Sequence, residues 1–91
     1  MTEKEKLYYL IREYSKGNYD TKVFCDEFSN IYNIETDYAI LSEDERQYFS
    51  NLCEITDRFS EYEDELAIPN MYFSEADVRN AVEKVMVALS I

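Results

Sequence analysis

Leu7, Leu10, Ile11 and Tyr14 recur at the spacing that lines one face of a helix. Thr2 and Glu5 precede them as a capping box, so the pattern predicts a first helix starting near Thr2. It should stop at Gly17, which takes the left-handed conformation without steric cost. Asn18-Tyr19 then form a short turn into Asp20, the next N-cap, and so tight a turn predicts a hairpin of two helices. In the second segment Phe24, Phe28, Ile31 and Tyr32 share a face while Asp26, Glu27 and Asn30 point elsewhere, and the pattern fades near Ile34. Glu35 to Leu41 reads as a connector. Ser42 with Glu45 repeats the capping box and opens a third helix. Its stripe runs Tyr48, Leu52, Ile55, Phe59, and Phe49 with Cys53 widens it toward a second neighbour.

The stretch Leu66 to Phe73 is apolar, but Pro69 lacks an amide donor and disfavours a helical Ile68. It reads as a packed crossover. Ser74 caps a last helix with Asp77 in the third position, Phe73 is placed to staple onto Val78, and Val78, Val82, Val85 and Leu89 form the buried stripe. Four amphipathic segments, no alternating strand pattern and no internal repeat predict an all-α fold. The expected architecture is a small antiparallel four-helix bundle in one domain, residues 1–91.

Charge changes this picture. The chain carries 20 acids against nine bases, a net charge of −11, yet 46% of its residues are hydrophobic, with five Phe and nine Tyr. That apolar content is too high for a disordered acidic tail, so the charge belongs to a folded surface. Such a surface repels phosphate backbones and anionic lipid, which argues against direct nucleic-acid or membrane binding and for a basic protein partner. The longest aliphatic run, Val85 to Leu89, is far short of a bilayer span, and the first residues lack the apolar stretch of a signal peptide. The expected location is cytoplasmic. Cys25 and Cys53 lack Cys-x-x-Cys spacing and fall in apolar helical stretches, which predicts two buried free thiols.

Candidate chemistry is sparse. The chain has no histidine, so it lacks Ser-His and Cys-His nucleophile pairs and His-ligated zinc. Paired carboxylates could serve glycosidic chemistry, but so short a chain offers little room for the cleft required. No enzyme activity and no cofactor are expected. A calcium loop starting at Asp57 would need an oxygen ligand at position 59 and a glycine at 62, where Phe59 and Tyr62 stand. An acyl carrier would need a serine in an Asp-Ser-Leu motif, and none occurs.

The acids are unevenly placed: residues 41–91 hold twelve against four bases, residues 1–40 eight against five. They are densest in Asp57-Arg-Phe-Ser-Glu-Tyr-Glu-Asp-Glu65, so the candidate binding residues are Asp57, Glu61, Tyr62, Glu63, Asp64 and Glu65. Two plainer readings stand beside this one. Asp57, Glu61 and Asp64 could be the solvated side of the third helix, and Tyr62 could cover the end of the bundle instead of anchoring an interface. Phe59 reads as core, and Arg58 as a partner of Glu54 or Glu61 within its own helix.

The segment from Thr56 to Met86 resembles the family of the colicin D immunity protein and the bacterial self-protective colicin-like immunity proteins. The resemblance rests on Asp57-Arg58-Phe59 at a helix end, the acids Glu61, Glu63 and Asp64, and Val78-Arg79 with Lys84 in a final helix. The turn in Tyr14 to Phe28 extends it, to roughly residues 8–90. It implies an antitoxin that binds a basic nuclease domain of a tRNA-cleaving (tRNase) toxin and fills its substrate groove with acids. Asp57 then takes the position of the acid before Arg-Phe and Asp64 that of a following acid. Tyr62 stands where the family pattern calls for another acid, so Glu61 and Glu63 would supply that charge. The alternative is an acidic helical interaction module for some other basic partner.

Overall fold

The computed structural model describes residues 1–91 and is built of helices and turns, with no β-strand. Helix α1 (Glu3–Ser15) starts at the Thr2–Glu5 capping box: the Thr2 hydroxyl accepts the Glu5 N–H at 3.1 Å and the Glu5 carboxylate accepts from the Thr2 N–H. It ends before Gly17, whose φ of 85° lies in the left-handed region that favours glycine. Asp20 caps α2 (Thr21–Asn30) by accepting the Val23 N–H at 2.8 Å. The helical path continues through a π-helical turn, Ile31–Glu35, closed where the Thr36 amide and hydroxyl both donate to the Ile31 carbonyl. A short 3₁₀ turn at Tyr38–Ile40 leads to Ser42, whose capping box with Glu45 opens α3 (Glu43–Asp57). A single turn, α4 (Glu63–Leu66), precedes α5 (Glu75–Leu89), which starts at the Ser74–Asp77 box.

The four long helices pack in a closed sequence of neighbours: α1 on α2, α2 on α3, α3 on α5 and α5 back on α1. Aromatic side chains connect them. Tyr14 of α1 stacks on Phe24 of α2 at 4.4 Å between ring centres, and Phe28 meets Phe49 of α3 edge-on at 6.1 Å. Phe24, Phe28 and Phe49 are fully buried, and each contributes roughly 1.5–3 kcal/mol by leaving water. No helix is long and apolar enough to cross a membrane.

Two sequence expectations need correction. In α3 the buried edge is Phe49, Leu52, Cys53 and Thr56, with Tyr48 and Ile55 only half-buried. The helix faces both α2 and α5, so the residues between its two apolar edges sink deepest. Phe59 does not continue the stripe, because α3 ends at Asp57; it is half-buried in the following loop. Nor is the crossover packed along its length: Ala67 to Met71 are exposed, and only Leu66, Tyr72 and Phe73 are half-buried. Cys25 and Cys53 are buried and unpaired. Burial pushes their thiols up to about 12 and about 11, so both stay protonated and unreactive at neutral pH.

Polar ties fix the helices laterally. The Tyr14 hydroxyl donates to Thr21 Oγ1, which donates to Glu75, and Arg79 completes the chain by pairing with Glu75 at 3.1 Å while lying over the Tyr14 ring. Ser29 and Thr56 join α2 to α3 at 2.7 Å. Between α1 and α3, buried Glu45 accepts from the Tyr8 hydroxyl, the Ser42 N–H and Lys4. Burial raises the Glu45 pKa, but the Ser42, Tyr8 and Lys4 donors outweigh it and leave the group below its ordinary 4.5. Folding therefore favours the ionised form. The resulting stabilisation is complete above pH 4.5 and is lost as pH falls through the depressed value. Glu45→Ala should destabilise the protein at neutral pH by about 1–3 kcal/mol, since it strands the Tyr8 and Ser42 donors. Acid melts should show that this difference shrinks below pH 4.5; a difference that holds constant to pH 2.5 would refute the assignment.

Candidate protein-interaction surface

Beyond Asp57 the chain leaves α3 and closes on itself. The Phe73 N–H donates to the Arg58 carbonyl at 2.9 Å and the Ser60 N–H to the Phe73 carbonyl at 3.0 Å, an isolated parallel bridge. Residues 60–73 thus form a surface loop with joined ends. Four of the five clustered carboxylates lie on it: Glu61, Glu63, Asp64 and Glu65. Its first half is shaped by α4, where the Leu66 N–H donates to the Tyr62 carbonyl at 3.0 Å. Its second half turns at Asn70, which adopts a left-handed φ of 61°, a conformation asparagine tolerates better than most residues.

Most of the predicted residues face solvent. Glu61, Tyr62, Glu63 and Asp64 are exposed, Tyr62 at 61%, and Glu61, Glu63 and Asp64 take part in no ion pair. Glu65 is half-buried and accepts from the Ser60 hydroxyl at 2.6 Å. Asp57 is exposed at the end of α3 and accepts from the Asn33 amide at 3.1 Å. Glu61, Tyr62 and Glu65 share one shallow hollow with Lys22, Asp26 and Phe59, while Asp57 lines a neighbouring hollow that also includes Asp26. Glu63 and Asp64 line neither. The acids are therefore not the solvated side of α3, since only Asp57 belongs to that helix. Tyr62 is exposed beside Phe59, which packs on the core.

The local field is negative with few counter-charges. Asp57 stands at the C-terminus of α3, where the helix already carries partial negative charge. Arg58 faces Glu54, not Glu61, and only at 3.9 Å. Lys22 is held by Asp26 at 3.1 Å; that bond and the Asp26 charge raise its pKa, with smaller contributions from Glu61 and Tyr62. Asp26 was not foreseen as part of this surface, because its sequence neighbours place it only on the polar side of α2. Nothing in a linear reading shows that this side faces the 57–65 segment. Beneath the loop a cleft of about 410 Å³ opens between Asp20, Thr21, Phe59, Ser60, Leu66 and Glu75. No group of three or more Cys, Asp or Glu converges so as to hold a metal ion.

Asp57 opposes the α3 macrodipole without an ion pair of its own. Asp57→Asn should therefore stabilise the fold by about 0.3–1 kcal/mol at low ionic strength. Thermal melts of wild type and variant should show the gain shrinking with added salt. Destabilisation would mean that the bond to Asn33 outweighs the dipole. Comparison of the chain with protein-family models, with curated proteins and with solved structures finds no match.

Proposed function

We propose that this chain is an immunity protein, an antitoxin that binds the basic nuclease domain of a tRNA-cleaving toxin and blocks its substrate groove with the acidic loop. The observation that carries the reading is the exposed, unpaired set Glu61, Glu63 and Asp64 on a loop with joined ends, flanked by Asp57 and Asp26. Carboxylates without internal partners, fixed on one side of a folded chain, suit pairing with Lys and Arg side chains that otherwise hold RNA phosphates. The resemblance in Asp57-Arg58-Phe59 and the following acids supports the same partner. On this reading the four long helices form an antiparallel four-helix bundle, which the closed sequence of helix contacts supports. The protein acts in the cytoplasm, where the toxin meets tRNA, and performs no chemistry itself.

The competing reading is an acidic interaction module for a basic partner that is not a nuclease. Passing a lysate of the producing cells over the immobilised protein and eluting with a salt step separates the two. The neutralisation reading expects a basic domain that cleaves tRNA only when this chain is absent. A retained basic partner with no nuclease activity would overturn it. The combined Asp57→Asn, Glu61→Gln, Asp64→Asn variant should stay folded yet bind that domain at least about 100-fold more weakly, a loss of roughly 2.8 kcal/mol. Titrating tRNA cleavage with wild type and variant checks this; equal inhibition would place the interface elsewhere.

A further inference from the structure

Of the loop residues, Ser60 is the one whose side chain is buried without being apolar, at 5% exposure. Its hydroxyl is used in both directions. It donates to Glu65 Oε1 at 2.6 Å and accepts the Tyr62 N–H at 3.1 Å, while its own amide donates to the Phe73 carbonyl at the loop's neck. One small residue thus joins the neck, the exposed aromatic residue and the far end of α4. Packing supplies little of this order. The loop stands over the 410 Å³ cleft, where Phe59 and Leu66 are the apolar lining. A single helical turn is too short to hold itself. Without the hydroxyl, Tyr62 and Glu65 lose their common attachment, and Glu61 to Asp64 are left on a segment held only by its neck and by the backbone bonds of one helical turn.

We propose that Ser60 is the positioning residue of the acidic loop: its hydroxyl presets the Glu61–Glu65 segment in one conformation before a basic partner arrives. The proposal rests on the neutralisation reading for what the loop docks against, but the preset conformation is a property of the free chain. Its consequence is that ordering entropy is spent in folding and not in binding, which tightens a complex without adding a contact. The sequence signal is a serine whose hydroxyl accepts the N–H two residues on, a pattern of turns, followed by a carboxylate within reach of its proton.

The test uses the full chain as wild type, Ser60→Ala and Ser60→Thr. Amide hydrogen exchange is read residue by residue, and binding to the nuclease domain recovered from the column is measured in parallel. In the wild type the Tyr62 amide should exchange at least about 10-fold more slowly than in an unstructured peptide. Ser60→Ala should lose that protection while the amides of Phe28 and Leu52 change less than two-fold, and Ser60→Thr should restore it. Ser60→Ala should also bind the domain about 10-fold more weakly although no charge has changed, with Ser60→Thr close to wild type. A Tyr62 amide that exchanges freely in the wild type, or identically in Ser60→Ala, overturns the preset conformation. Lost protection with undiminished binding overturns the positioning role. Failure of the wild type to bind any nuclease contradicts the neutralisation reading and the docking role with it, while the exchange result still decides whether the hydroxyl fixes the loop.

Discussion

A surplus of eleven negative charges on 91 residues must be held in one compact body. Self-repulsion of that kind works against the folded state, and the counterweight is an aromatic core continuous across helices. Tyr14, Phe24, Phe28 and Phe49 connect α1, α2 and α3, while Val78, Val82 and Val85 close the core from α5. Where acids are drawn inward they are fully engaged: Glu45 accepts from three donors. Glu75, exposed at the start of α5, is tied by Thr21 and Arg79. Their pKa values fall below the ordinary value for that reason. Some carboxylates thus fasten helices to one another, some cap a helix or pair within it, and some are left without any partner.

Three carboxylates of the last group, Glu61, Glu63 and Asp64, stand together in sequence on the loop that follows α3. Residues 60–73 are fastened at the neck by two backbone bonds and stand over a cleft, and the side chains of Glu61 to Asp64 are left for an external surface. A chain under selection for stability alone would gain by neutralising Asp57 at the negative end of α3 or by placing lysines opposite Glu61 and Glu63. Asp57 and Glu63 have no such counter-charge, and although Lys22 shares a hollow with Glu61, Arg58 and Lys22 make their ion pairs with Glu54 and Asp26. Unpaired like charges on one surface cost stability, a cost that the proposed basic partner would offset. This is the physical ground for reading the loop as an inhibitor's contact surface.

Much of the fold was legible in the sequence because caps and apolar periodicity are local. The boxes Thr2–Glu5, Ser42–Glu45 and Ser74–Asp77, the Asp20 cap and Gly17 each mark a helix end that the structure shares. The rotation of the α3 stripe was not legible, because it depends on which two helices flank α3. The loop was less legible still. Phe59 continues the helical spacing in the sequence, and only its bridge to Phe73, fourteen residues on, shows that the helix has ended. The six candidate residues come from the stretch where acids are densest, with Asp57 and Asp64 also placed by the family resemblance. Ser60 and Asp26 were missed because each matters through a spatial neighbour: Glu65 and the Tyr62 amide for Ser60, the facing loop for Asp26.

The central claim is that this negative loop, not an apolar face, draws the partner in. The most direct test is the association rate constant between this chain and the proposed basic nuclease partner, measured by stopped-flow across a range of ionic strengths. Charge-led docking predicts a rate on the order of 10⁸ per molar per second at low salt, falling steeply as the ionic strength rises. A rate near 10⁵–10⁶ per molar per second that does not change with salt, as expected for uncharged surfaces, would contradict the account.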